Sequence, residues 1–146
     1  MSILFMKDAS VKLKVLGVGS LVEYNGVVQS AEVEVKPGDE AAYPTLDGNV
    51  ARNIGPETYA LVLKAAQDWQ TGPPVGLSKF LFDNARSTLE FEYQAHGSTQ
   101  VAGAATPIVV GQCKAVAGPY GGEVGAFAEL EVSMPCLTKP TLDVTP

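Results

Sequence analysis

Apolar and polar side chains alternate along much of this chain with a period of two residues. The alternation is clearest in six segments: Val11–Gly17, Ala31–Lys36, Thr58–Gln67, Leu89–Tyr93, Pro107–Ala117 and Val124–Met134. A period of two is typical of strands that bury one face, and turn-forming residues separate these segments. The pattern therefore predicts a mainly β protein, an antiparallel β-sandwich or barrel.

One segment has helical spacing instead. Within Val75–Ala85, the side chains of Leu77, Phe80, Leu81 and Asn84 fall on one stripe, directly after the breaker sequence TGPP. We expect one short α-helix that flanks the β-structure.

Residues 37–57 show no sustained period and contain the turn signals Pro37-Gly38 and Asp47-Gly48. We expect a long loop after the second or third strand. A loop of this length in a compact domain is usually functional. Contacts with neighbouring molecules are the expected means of ordering it, and packing within the chain is the alternative.

Length and charge narrow the classes of function. The chain has 146 residues, enough for one domain with one core, and its formal net charge is -6. An acidic surface with scattered lysines disfavours tight nucleic-acid binding. The start MSILFMKD lacks the pattern of a signal peptide, and no stretch approaches the roughly 20 apolar residues of a membrane helix. We expect synthesis in a cytoplasm and no membrane insertion.

The two cysteines are predicted to be free thiols. If the sequence GPYGG at residues 118–122 turns a hairpin, Cys113 lies opposite a residue near Ala128, and Cys136 follows about eight residues later. That separation is roughly 26 Å at the rise of a strand, too far for a disulfide.

Other candidates for chemistry have simpler structural explanations. The single histidine, His96, precedes Gly97 in a predicted turn, and Asp47-Gly48-Asn49 also indicates a turn rather than a calcium loop. Gly17 and Gly19 are followed by no helical pattern, so strand termination is favoured over a phosphate loop. Trp69 is more typical of packing beside the helix than of a sugar platform. We therefore predict no catalytic pair, no metal site and no cofactor.

A Glu-x-Glu motif occurs three times, each time in a strand-like segment. The six glutamates are Glu32, Glu34, Glu90, Glu92, Glu129 and Glu131. Each strand taken alone reads as an ordinary solvated face. If the three strands share a sheet, however, they form a surface of one sign against the repulsion of like charges, and such a surface suits a passage for a polyanion.

Two longer stretches resemble a known family. DWQTGPPVGLSKFLFDN at Asp68–Asn84 and GPYGGEVGAFAELEVSMPCLTKPTL at Gly118–Leu142 are similar to the major tail tube protein of long-tailed, non-contractile bacteriophages. The shared order is a strand ending at a tryptophan, a short helix, two strands, a Gly-Gly hairpin and a last strand. The resemblance covers most of the chain and is clearest from about Glu57 onward.

The resemblance implies a structural virion protein made of one domain, residues 1–146, without the added C-terminal immunoglobulin-like domain of some members. Six copies would form a ring, and rings would stack into a tube that conducts viral DNA without binding it specifically. The partners implied are further copies of the chain, a tape-measure protein and the tail terminator and tip proteins, in a virion assembled in the host cytoplasm.

The resemblance also implies roles for particular residues. The six glutamates of the Glu-x-Glu strands would face the lumen, and the loop at residues 37–57 would reach a neighbouring ring. Candidates for that contact are Asp39, Glu40, Tyr43, Asp47 and Arg52, with Tyr43 as a buried anchor.

Two alternatives fit the same sequence. One is a monomeric β-sandwich that binds a carbohydrate or a receptor, which predicts an exposed patch of aromatic side chains. The other is a tail terminator or capsid decoration protein, which forms a single ring or a trimer. An enzyme is the weakest interpretation because no nucleophile and base are evident together.

Overall fold

A computed structural model describes residues 9–24, 26–95, 103 and 106–144 of the chain. His96 lies outside them. Within the described residues there are ten strands and one helix. In chain order they are β1 (Ser10–Val15), β2 (Val22–Glu23), β3 (Val28–Lys36), β4 (Glu40–Pro44), β5 (Val50–Ile54), β6 (Thr58–Ala66), α1 (Leu77–Asp83), β7 (Thr88–Gln94), β8 (Ile108–Lys114), β9 (Glu129–Pro135) and β10 (Thr141–Asp143).

The strands form three antiparallel sheets. A five-stranded sheet has the order β10-β8-β7-β1-β2, a three-stranded sheet has the order β3-β6-β9, and β4 and β5 form a separate two-stranded sheet. The prediction of a mainly β, antiparallel fold with one short helix is confirmed. The described strands make a sandwich and close no barrel.

The core lies between the five-stranded and the three-stranded sheets. Leu13 and Phe91 face it from one sheet, and Leu61 and Met134 face it from the other, all with no exposed surface. These buried positions alternate with more exposed positions along each strand, which is why the period of two located the strands. The hydroxyl of Tyr93 donates a hydrogen bond of 2.7 Å to the carbonyl of Ala31 and so joins the sheets.

The helix closes one end of this core. Leu77 and Leu81 are fully buried, and the ring of Phe80 lies 6.0 Å from the ring of Tyr24. Asn84 ends the helix, because its side-chain amide donates a 2.9 Å hydrogen bond to the carbonyl of Phe80. The predicted stripe is confirmed, within a helix shorter than the predicted Val75–Ala85.

Residues 37–57 differ from the prediction of an irregular loop. They contain the hairpin of β4 and β5, in which Glu40 pairs with Ile54 and Pro44 pairs with Val50. The turn between the strands holds Asp47-Gly48, and Asp-Gly is a strong hairpin signal. The strands escaped prediction because they are short and carry apolar residues on both faces. We call residues 39–54 the hairpin arm.

The expected hairpin around residues 118–122 is absent. Strand β8 pairs with β7 and β10, and β9 pairs with β6, so residues 115–128 cross from one sheet to the other. Both cysteines are free, as predicted, but the argument from reach is wrong. Cys113 and Cys136 are directly opposite each other in an antiparallel bridge, because β9 returns to the edge of β8 only at its end.

Candidate functional surfaces

Four of the six glutamates share the outer face of the three-stranded sheet. Glu32 and Glu34 lie on β3, and Glu129 and Glu131 lie on β9, with β6 between them. Their strand neighbours Ala31, Leu130 and Val132 point into the core. Alternation therefore assigned these glutamates to the correct face. We call this surface the acidic face.

The pairing on the acidic face brings no two glutamates directly opposite each other in the described registers. Glu32 is opposite Val62, Glu129 is opposite Ala66, and Glu131 is opposite Lys64. The ammonium group of Lys64 also lies 3.9 Å from the carboxylate of Glu129. The like-charge cost expected from the sequence is thus largely avoided, since strand β6, which carries Lys64 and no acidic residue, separates the two acidic strands.

Glu90 and Glu92 lie in a different place. They belong to β7 in the five-stranded sheet, where Lys14 and Lys12 are their direct partners on β1. The distance between the Lys14 ammonium and the Glu90 carboxylate is 3.1 Å. The hypothesis that all three Glu-x-Glu strands share a sheet is therefore wrong. The lysines of the sequence VKLKV neutralise the acidic side of LEFEY, and alternation within one strand gives no information about its partner.

The hairpin arm is exposed along its whole length. Tyr43 is 73% exposed and Ile54 is 70% exposed, although both are large and apolar. The predicted contact residues Glu40 and Arg52 bind each other within the arm, at 2.7 Å. Asp39 lies at the base, where its carbonyl accepts a 2.8 Å hydrogen bond from the amide of Gly55.

The tip of the arm is a turn that the carboxylate of Asp47 holds together. It accepts hydrogen bonds from the hydroxyl of Thr45 and, at 3.0 Å each, from the backbone and side-chain amides of Asn49. The Thr45 hydroxyl and then the Asn49 amides lower the pKa of Asp47 below its ordinary value. Gly48 follows with φ of 86°, and Leu46 projects fully into solvent. Asp47 thus shapes the tip, and Leu46 is the residue that it presents.

At the base of the arm the two chain segments cross closely. A β-carbon added to Gly38 would lie 1.8 Å from the carbonyl oxygen of Gly55. Only glycine fits at this position, since the obstacle is backbone. We call this crossing of Gly38 and Gly55 the neck, and it fixes where the arm leaves the sandwich.

A second apolar surface, which the sequence did not reveal, surrounds Trp69. Its ring contacts Phe82 of the helix at 5.9 Å and Tyr120 of the 115–128 segment at 5.1 Å, both edge-on. The prediction that Trp69 packs beside the helix is confirmed. Tyr120 is 82% exposed and Phe82 is 58% exposed. We call Trp69, Phe82 and Tyr120 the aromatic patch; the only sequence signal was the density of apolar residues in a Gly-rich segment.

The glycines considered for a phosphate loop lie in a turn. Gly17 and Gly19 have positive φ in the turn after β1, in keeping with strand termination. No group of three or more potential metal ligands occurs among the residues that the structure describes. In the same residues, no helix is long and apolar enough to cross a membrane.

Comparison with known proteins finds a similar fold among solved structures. No protein-family model and no curated protein matches this sequence. Among solved structures, the chain is similar to one in the tail of an empty GTA (gene transfer agent) particle, obtained by helical refinement with C6 symmetry. The TM-score is 0.58 at 15% identity, over 93% of this chain and 96% of that chain. The fold of this protein is thus that of a subunit from a phage-like tail, in agreement with the resemblance read from the sequence.

Proposed function

We propose that this protein is a tail tube subunit, six copies of which form a ring that stacks with others into a hollow tube. The observation that carries the proposal is the exposed hairpin arm, on a fold shared with a chain from a C6-symmetric tail. A two-stranded hairpin is marginally stable by itself in water. An exposed arm of this kind is expected to become stable when another molecule covers it.

The arm has apolar side chains on both faces. Pro44, Val50 and Ile54 lie on one face, and Ala51 and Tyr43 lie on the other. Large exposed apolar surfaces mark sites of association. Because a protruding arm and its acceptor surface differ, the contact between copies is heterologous, and such contacts generate rings and filaments rather than simple dimers.

The aromatic patch gives a second surface for contacts between copies. Tyr120 lies far from the arm in sequence and is as exposed as the arm residues. Tyr and Phe are enriched where interfaces are buried. An arm rich in apolar groups and a separate aromatic patch provide the two unlike halves that a repeating assembly needs.

The acidic face is the proposed lining of the lumen. The two outer faces of a sandwich point in opposite directions, so a single lumen cannot receive all six glutamates. The outer face of β3, β6 and β9 carries four carboxylates against the ammonium groups of Lys36 and Lys64. Glu90 and Glu92 are matched by lysines and are better suited to the outside of the tube. A lining of net negative charge repels DNA phosphates and so favours transit without binding.

The proposed tube also implies particular partners and a particular location. Its partners would be copies of the same chain, a tape-measure protein and the terminator and tip proteins. The particle would be a virion assembled in a host cytoplasm. Residues Asp39, Glu40, Tyr43, Asp47 and Arg52 would act through the arm in contacts between rings, Tyr43 by direct burial and Asp47 by shaping the tip.

A second candidate function deserves a test because of one observation. The exposed aromatic patch is the feature expected of a monomeric module that binds a carbohydrate or a receptor. Aromatic rings stack on the apolar faces of sugars in the way that they pack on one another. The two functions differ in whether the purified protein assembles.

Negative-stain electron microscopy of the concentrated, untagged protein tests the proposal. We expect hollow tubes or stacked rings with six-fold end views. A protein that stays monomeric at high concentration, both alone and with preformed tail tips as nuclei, would contradict it. Binding of the monomer to glycans would then support the second candidate.

A further inference from the structure

The two cysteines meet where the chain passes from one sheet to the other. Cys113 points into the core from β8, beside Leu89 of β7. Cys136 follows directly after β9, and its amide donates a 2.8 Å hydrogen bond to the carbonyl of Tyr59 in the three-stranded sheet. The next amide, that of Leu137, donates a 3.0 Å hydrogen bond to Gln112 in the five-stranded sheet. The chain therefore crosses from the three-stranded sheet to the five-stranded sheet at Cys136.

The hydrogen-bond pattern defines how the two cysteines face each other. The bond from Leu137 to Gln112 flanks the bridge between Cys113 and Cys136, so the cysteines form a non-hydrogen-bonded pair. In such pairs the α-carbons are about 4.5 Å apart and the side chains are close. Disulfides span α-carbon distances of about 4.4 to 6.8 Å. The backbone spacing typical of such a pair thus falls within the range that a disulfide spans.

We propose that Cys113 and Cys136 form an intramolecular disulfide when the folded protein meets a peroxide outside a reducing cytoplasm, and that this bond ties the two sheets together. The inference stands independently of the function proposed above. It assigns a modification site to a pair of thiols that the sequence had placed far apart.

The environment of the thiols keeps them reduced until a strong oxidant is present. Burial, with the nearby Cys136 as a smaller cause, raises the pKa of Cys113 to about 12. Burial also raises the pKa of Cys136, against the opposing effect of the Leu61 backbone amide. Thiolate is the reactive form, so both thiols react slowly near neutral pH. Cys136 is only half-buried and is the one that solvent reaches.

The reaction has two steps. The Cys136 thiolate attacks one oxygen of hydrogen peroxide, the O–O bond breaks, and water leaves after protonation, so that Cys136 becomes a sulfenic acid. The Cys113 thiolate then attacks the Cys136 sulfur, forms the S–S bond and releases the second oxygen as water. Two thiols lose two protons and two electrons, and one peroxide is reduced to two waters.

The disulfide would close residues 113–136 into a loop that contains Tyr120 of the aromatic patch. Closing a loop of this length restricts the unfolded chain and is expected to raise the thermal midpoint by about 6–12 °C. The reductant dithiothreitol should reverse the change.

The test treats the purified, reduced protein with hydrogen peroxide, alkylates the remaining thiols and digests it with trypsin without reduction. Trypsin separates the cysteines at Lys114, so the expected product is a linked pair of peptides, one with Cys113 and one with Cys136. The thermal midpoint of the intact protein should rise by the amount given above. The variant Cys136→Ser should give neither the linked peptides nor the rise.

Three outcomes would overturn the proposal. One is over-oxidation of Cys136 to a sulfinic acid while Cys113 remains alkylatable. Another is a disulfide found only between chains. The third is that both thiols of the folded protein stay reduced at a peroxide concentration that oxidises them in urea.

Discussion

Replacing Gly38 by alanine is expected to impair assembly and leave the sandwich folded. The added β-carbon would lie 1.8 Å from the carbonyl oxygen of Gly55 and 2.8 Å from that of Pro56. Both obstacles are backbone atoms, so the two sides of the neck have to separate by about 1 Å or more, and overpacking of this kind costs roughly 1–3 kcal/mol. The arm is exposed along its length, so it can release this strain by swinging away from its position.

The displacement transfers the cost to the contact between copies. If the arm has to be brought back to its original direction in order to dock, each contact loses about 1–3 kcal/mol, which raises the concentration required for assembly about 5- to 150-fold. The free energy of unfolding of the sandwich should change much less, because Gly38 lies outside the core.

A matched control lies across the same neck. A β-carbon added to Gly55 would meet its nearest atom, the carbonyl oxygen of Asp39, at 3.5 Å, which is an ordinary contact. Sedimentation and electron microscopy over a concentration series should therefore show impaired assembly for Gly38→Ala and nearly normal assembly for Gly55→Ala, with similar urea denaturation of both. Equal assembly thresholds for the two variants would refute the reasoning about the neck.

Three further predictions concern the charged groups. Lys14→Glu places a carboxylate opposite Glu90 and should lower the free energy of unfolding by about 1 kcal/mol in urea denaturation, less at high salt; an effect independent of salt would contradict a charge origin. The pKa of Asp47 is lowered in the fold, so its carboxylate supports the turn at higher pH and stops doing so as pH falls through that lowered value. An NMR titration should give a midpoint below 3.8, and a midpoint at or above 3.8 would show that the turn does not hold the carboxylate. Glu34→Lys should leave tubes intact and reduce DNA delivery by particles that carry it, while Glu92→Lys should not; equal delivery by both would remove the lumen assignment.

Local patterns predicted what depends on a single strand. In Leu89–Gln94, the period of two identified Leu89, Phe91 and Tyr93 as core residues, and all three are buried. It likewise assigned Glu90 and Glu92 to the outer side. Side-chain direction along a strand is a local property, fixed by the pleat, so the sequence is sufficient for it.

A local pattern does not predict the partner of a strand, because pairing is a property of the whole fold. Nothing in the segment around Glu92 shows that Lys12, eighty residues earlier, lies opposite it. The same lack of information about strand partners explains why the sequence placed the two cysteines far apart. A hairpin of β8 and β9 would hold Cys113 and Cys136 far apart, whereas in two separate sheets they meet at an edge.

The hairpin arm shows a third kind of limit, and its cause supports the proposed assembly. A strand that buries one face alternates, but a strand covered on both faces carries apolar residues on both and shows no period of two. The arm has that second composition, with Val50 and Ile54 on one face and Tyr43 on the other, yet it is bare in the single chain. The missing alternation is therefore itself a sign of burial on two sides. Since the described residues leave the arm exposed, this composition supports the proposed contact with neighbouring copies.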